Sequence, residues 1–339
     1  MSDTTSPRLR LIPQVGPAAW RAADLRLADW MVPLGADHAA ELEAAVRALG
    51  GRAPMNAAEA PLPSLGPVLR GAVQRLDTGH GFALLRGLPI EKLGDALLGP
   101  VLRTLGAHLG RAVPQPDGEV VQLLVSPGGG AARWRFHADA ADAVALLVLH
   151  QPPDGDPAML VAAATVHNEM MKRDRTALDL LYRPLPHAVP GGESVVDLPV
   201  FSSASGAFIG RYARDAIEAA QRLPETPRLS AAQVEALDLL DAICAEPGLA
   251  LRMDVRPGDV LLFNPLQVWK RRAEALAGDA PAGAPMRQAL RMLLLTDNSR
   301  ALPGGLVTLG GAVAPGTDGT VLSAPGADTT PPPVGMVGG

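Results

Sequence analysis

The sequence predicts an α+β fold: a double-stranded β-helix, or jelly roll, with flanking and inserted helices. In its second half, short apolar runs are separated by turns rich in Pro and Gly, the pattern of an antiparallel barrel or sandwich. Helical periodicity occupies the first half and the stretch from about residue 165 to 245, without the βαβ alternation that builds a doubly wound sheet. A His-x-Asp pair, His137 and Asp139, forms a corner that feeds a long apolar run.

Composition narrows the class. Only 3% of the 339 residues are aromatic although 47% are hydrophobic, so the core is expected to be built from Leu, Val and Ala. A net charge of -5 and the lack of any Lys/Arg block argue against a nucleic-acid partner. The single cysteine, Cys244, excludes a disulfide framework or a multi-Cys metal site within this chain. Residues 1–10 lack the apolar core of a signal peptide, and no apolar run approaches the ~20 residues of a membrane span. The expectation is a cytoplasmic protein with a small-molecule partner and no membrane or nucleic-acid contact. Its oligomeric state is not readable.

Residues 1–30 mix Ser, Pro, Arg and Trp without a period and read as an N-terminal arm whose Trp20 and Trp30 pack on the body. One domain is expected over 31–300. Leu42, Val46 and Leu49 recur at helical spacing after Asp37, and Gly50-Gly51 stops that helix. A second helix covers about 65–76. Gly79-His80-Gly81 then turns the chain into the short buried strand Phe82-Ala83-Leu84-Leu85, with His80 a turn residue. From Asp95, Leu97, Val101, Leu105 and Leu109 recur four apart, with Pro100 expected to delay the helix start and His108 close to its negative pole. A strand over 120–125 and a Gly-rich loop lead to Trp134-Arg135-Phe136-His137-Ala138-Asp139-Ala140-Ala141-Asp142 and the apolar run 143–149.

A turn cluster at 150–157 precedes a strand ending near Ala164. One helix is expected over 165–181, capped by Thr165, with His167, Glu169, Lys172, Arg173 and Arg175 on a solvated face. Ser230-Ala231-Ala232-Gln233 has the form of a capping box, and Val234, Leu237, Leu240 or Asp241, and Cys244 continue one helical face. Arg256-Pro257-Gly258-Asp259 is a type II turn launching the strand Val260–Phe263, which Asn264-Pro265 ends. The last strand is expected at 288–295. Residues 301–339 are dominated by Gly, Ala, Pro, Thr and Val and are expected to form a disordered tail that adds nothing to the core.

Side chains two apart in an extended chain share a face, so the His137 imidazole and Asp139 carboxylate can converge on one point. They would supply two of the three ligands of a 2-His-1-carboxylate iron site. Together with this corner, Ala163-Ala164-Thr165-Val166-His167-Asn168-Glu169-Met170, Arg211-Tyr212, Arg256-Pro257-Gly258-Asp259 and the 287–294 stretch resemble, in order, the TauD/TfdA (taurine catabolism dioxygenase) family over about residues 30–300. The resemblance implies a jelly-roll enzyme that uses Fe(II), O₂ and 2-oxoglutarate to oxidise a small molecule. It implies iron held by His137, Asp139 and a distant second His, and the 2-oxoglutarate carboxylate held by Arg287 and Arg291. A planar guanidinium suits that bidentate role. A separation of four preserves the strand period, so both arginines are expected to point into the barrel near His137.

Two positions depart from the family pattern. Where relatives carry the distal His, this chain reads Asn264-Pro265-Leu266-Gln267-Val268-Trp269-Lys270-Arg271-Arg272 and places Lys270 at the ligand position. A protonated Lys has no lone pair to donate. In Gly155-Asp156-Pro157-Ala158, Ala158 replaces a Ser or Thr whose hydroxyl contacts 2-oxoglutarate in the family. Two readings are open: an iron oxygenase that recruits another third ligand, for example His150, or a catalytically inactive homologue kept as a ligand-binding or protein-interaction module. On the family geometry, the Lys270 ammonium is expected to pair with the Asp139 carboxylate in the space a metal would occupy.

Overall fold

The computed structural model describes residues 11–115, 118–127, 135–152, 157–189, 194–204, 206–271, 286–297, 306–309 and 312–315. Trp134, most of the Gly-rich loop before it, part of the 150–157 turn cluster and Arg272 lie outside the described residues. So does most of the tail expected at 301–339, of which the antiparallel hairpin Leu306–Leu309 and Ala312–Pro315 is described.

Alternation along the strands builds a two-sheet core. The larger sheet runs in the order Met31–Pro33, Phe82–Arg86, Val260–Phe263, Ala143–His150, Met286–Leu295 and Arg111–Val113, with Val121–Pro127 also paired to Met286–Leu295. Its pairings are antiparallel except that between Met31–Pro33 and Phe82–Arg86. The smaller sheet runs Leu251–Met253, Ala158–Ala162, Val268–Arg271, Phe136–His137, all antiparallel. Phe82, Leu84, Val144, Leu146, Leu261 and Phe263 face Leu160, Ala162 and Val268 across the space between the sheets. Their neighbours Ala83, Leu85, Ala145, Leu147 and Leu262 pack outward on the helices Ala36–Ala48, Leu65–Thr78 and Asp95–Ala107. On the far side, Phe136, Val161 and Trp269 pack on Ala163–Arg173, Arg175–Leu181 and Ala231–Cys244. A one-residue slip would turn each strand inside out, so this two-residue period fixes which side chains line the barrel.

Several expectations change on contact with the fold. Pro100 lies inside the helix Asp95–Ala107 rather than delaying it. Only the bond to the Ala96 carbonyl is lost, and Ala96 is exposed, so water can satisfy it while Pro100 packs in the core. The 165–181 helix is two helices, Ala163–Arg173 and Arg175–Leu181, divided at Asp174, whose carboxylate accepts from the Thr176 and Ala177 amides. Thr165 does not cap. It lies within the first turn and donates to the Trp20 carbonyl at 2.6 Å. His167 and Glu169 are buried, not solvated, whereas Lys172, Arg173 and Arg175 are exposed. His167 sits among the rings of Tyr182, Phe201 and Phe208, with Nε2 2.9 Å from the Tyr182 hydroxyl, and Glu169 pairs with Arg21 and Lys172. The Ser230–Gln233 capping box forms as expected, but Val234 is 36% exposed and only Leu237, Leu240 and Cys244 of the expected face are buried.

Glycine is required at the 256–259 turn. Gly258 has φ +84°, and a Cβ there would lie 2.0 Å from the Leu88 carbonyl oxygen. The N-terminal arm is clasped to the body. Trp20 packs on Phe82 and donates to the His80 carbonyl at 2.8 Å. Asn168 exchanges two hydrogen bonds with the backbone of Gln14, at 2.8 and 2.7 Å, and the Ala22 amide donates to the Leu249 carbonyl.

His187, on the strand Leu185–Ala188, is 4% exposed, and burial pushes its imidazole down to about 4. The depressed value means that the unfolded chain binds more protons between pH 6.5 and about 4, so this contribution is full above 6.5 and is lost as pH falls through that window. The loss is on the order of 3 kcal/mol. Urea midpoints measured from pH 7 to pH 4 should fall less steeply in His187→Phe than in the unaltered protein. Equal slopes would remove His187 as a source of acid sensitivity.

Candidate functional site

The smaller sheet places the His-x-Asp corner. Phe136 and His137 form a two-residue edge strand in which Phe136 enters the helix-side core and His137 faces the opposite way. His137 is directly opposite Lys270 in the antiparallel register. The corner is pinned beyond the strand: the Ala138 amide donates to the Tyr212 carbonyl, the Asp142 amide donates to the Leu294 carbonyl, and the Asp142 carboxylate accepts from the Thr296 amide. Asp139 is thereby held in the interior at 7% exposure.

Two cations converge on that carboxylate. Lys270 Nζ lies 3.6 Å from Asp139 Oδ2, and Arg291 Nη1 donates to Asp139 Oδ1 at 3.0 Å. All three residues are buried. The Lys270 ammonium also lies 5.9 Å from the centre of the Phe263 ring. Arg291 is further committed to the chain, donating from Nε to Gln115 Oε1 at 2.8 Å and from Nη2 to Gln122 Oε1 at 2.7 Å. These glutamines carry no sequence signal, because their role depends on strands that meet only in the folded sheet. Arg287 is half-buried and lines a cavity with Leu124, Leu146, Leu160, Lys270 and Ala289. The register with Val121–Pro127 runs unbroken from Met286 to Met292, so Arg287 and Arg291 project to one side of their strand.

The structure thus brings His137, Asp139, Lys270 and Arg291 together, with Arg287 at the adjoining cavity. Ala158 also lines that cavity, with a methyl group where a hydroxyl could have hydrogen-bonded. His150, the candidate replacement ligand, is exposed at the end of its strand. Among the described residues, no group of three or more His, Cys, Asp or Glu is placed to hold a metal ion.

The sequence model described as "Taurine catabolism dioxygenase TauD, TfdA family" matches residues 41–290. The chain belongs to this family. FR-33289 synthase from Streptomyces rubellomurinus is 27% identical over 271 residues, which is 73% of this chain and 78% of that protein. Among solved structures, asparagine oxygenase in complex with Fe(II), 2S,3S-3-hydroxyasparagine and succinate shares 21% identity and a TM-score of 0.59. The non-heme iron oxygenase OrfP in complex with Fe, succinate and (3R,4R)-dihydroxy-L-Arg shares 16% identity and a TM-score of 0.54. Each match covers 79% of this chain and 94% of the solved one, and each shows the shared jelly-roll fold.

Within TauD/TfdA architecture, the donor set of this chain does not fit Fe(II). His137 and Asp139 are ligand types, but the strand facing them presents an ammonium, and Asp139 already has a cation against each oxygen. A divalent ion would have to enter against that positive charge.

Proposed function

We infer that this chain is a non-catalytic TauD/TfdA member that keeps the jelly roll as a receptor for a small carboxylate-bearing molecule. The observation that carries this reading is the bracketing of Asp139 by two cations, Lys270 and Arg291, so that the carboxylate a metal would need is already engaged. Lys270 and Arg287 line the adjoining cavity beside Leu146 and Leu160, which sets basic groups among apolar walls as a carboxylate with a short apolar body requires. The family's 2-oxoglutarate is the first ligand to test. The loss of the hydroxyl at Ala158 is consistent with binding that no longer has to orient a cosubstrate for chemistry.

The oxygenase reading is supported by the inward-facing His137 beside Asp139, and one experiment separates the two. Anaerobic Fe(II) titration should give less than about 0.1 tightly held iron per chain, with no 2-oxoglutarate decarboxylation above background. In the same preparations, 2-oxoglutarate or succinate alone should raise the melting temperature. Stoichiometric iron with turnover would establish the oxygenase instead, and failure of both carboxylates to bind would remove the receptor.

A further inference from the structure

Away from the His137 corner, the guanidinium of Arg211 has no counter-charge among the described residues. Arg211 follows the strand Ala207–Gly210, and its backbone is fixed where its amide donates to the Val200 carbonyl at 2.7 Å. The next residue, Tyr212, accepts from Ala138, so the site adjoins the segment that carries His137 and Asp139. Arg211 as a residue is half-buried, but its Nε and Nη1 are enclosed, with no hydrogen-bond partner among the described residues. Burial lowers the guanidinium to about 10, so it is still charged at neutral pH. A buried guanidinium with unused donors is costly unless an anion completes it.

The neighbouring group is chemically complementary. His187 has Nδ1 2.8 Å from the Leu185 carbonyl, which fixes the proton on Nδ1 and leaves Nε2 as a lone-pair acceptor. That Nε2 is also enclosed and without a partner among the described residues. Arg211 acts on the imidazole through its charge, which adds to burial in keeping His187 neutral. Unused donors on a cation therefore stand near an unused acceptor on a neutral ring.

We propose that Arg211 and His187 form a recognition site for a small oxyanion that also carries an O–H donor, either a hydrogen phosphate group or a hydroxycarboxylate. The anionic oxygen accepts from Arg211, and the hydroxyl donates to His187 Nε2. Two polar groups that have no partner among the described residues are then both satisfied. Nothing in this site depends on whether the barrel holds Fe(II).

The test compares melting temperatures in chloride, acetate, glycolate and inorganic phosphate at equal ionic strength, on the full chain. Phosphate or glycolate is expected to raise the midpoint by about 2–4 °C beyond acetate at about ten times the dissociation constant, and whichever does so identifies the source of the oxyanion. Arg211→Met should abolish that increment and raise the midpoint in chloride, because it removes an uncompensated buried charge. If Arg211→Met does not fold, Arg211→Gln carries the comparison. No excess shift in the unaltered protein, or a full shift retained in the Arg211 variant, overturns the site.

Discussion

Lys270→His is expected to raise Fe(II) affinity by about two to three orders of magnitude. Lys270 lies opposite His137 in the register, so the imidazole enters from the strand that now delivers the ammonium. The substitution removes a positive charge 3.6 Å from Asp139 Oδ2 and supplies a lone pair in its place. At an effective dielectric of about 20, two unit charges 4 Å apart interact by about 4 kcal/mol, so relief of repulsion alone is worth more than a hundredfold. Arg291 still holds Asp139 Oδ1, and Oδ2 is the oxygen that loses the ammonium. Anaerobic competition against a chromogenic chelator measures the change. An affinity within about threefold of the unaltered protein would mean that Lys270 is not what excludes iron. Turnover should need Ala158→Ser as well, since the cavity wall lacks the hydroxyl.

Asp139→Asn is expected to destabilise the fold by about 3–5 kcal/mol, because it removes the buried carboxylate that both Lys270 and Arg291 face. Lys270→Met should cost about 1 kcal/mol or less, since Asp139 keeps Arg291 and the methionine fills the same space. This asymmetry distinguishes a structural ion triad from a metal site, where removal of a ligand carboxylate from the metal-free protein is usually tolerated. Urea unfolding with matched slopes gives both values. Similar small losses in the two variants would show that Asp139 is not the charge that holds the barrel centre together.

The parts of this site that could be read in advance share a local cause. The two-residue period put His137 and Lys270 on the inner face and Phe136 and Trp269 on the outer, and the strands carry that alternation without interruption. The type II turn at Gly258 and the Ser230–Gln233 box are likewise written within four residues. What escaped depends on partners distant in the chain. Gln115 and Gln122 meet Arg291 across more than 160 residues. His167 and Glu169 look solvated by residue type, but a ring cluster and Arg21 make their burial tolerable. Asp174 divides a helix because its own carboxylate offers a new cap, a competition that apolar spacing does not register.

The clasp of the N-terminal arm has a consequence for the order of events during synthesis. Gln14, Trp20 and Ala22 leave the ribosome before the distant residues that hold them, and Asn168 and Leu249 emerge more than a hundred residues later. Trp20 can meet Phe82 and His80 early, but the bonds to Thr165, Asn168 and Leu249 require the helix Ala163–Arg173 and the approach to Leu251–Met253 to exist. A segment made early is therefore among the last to be locked. Its amides should gain protection only when both sheets have closed, so the arm acts as a seal on a finished barrel, not as the seed of an unfinished one.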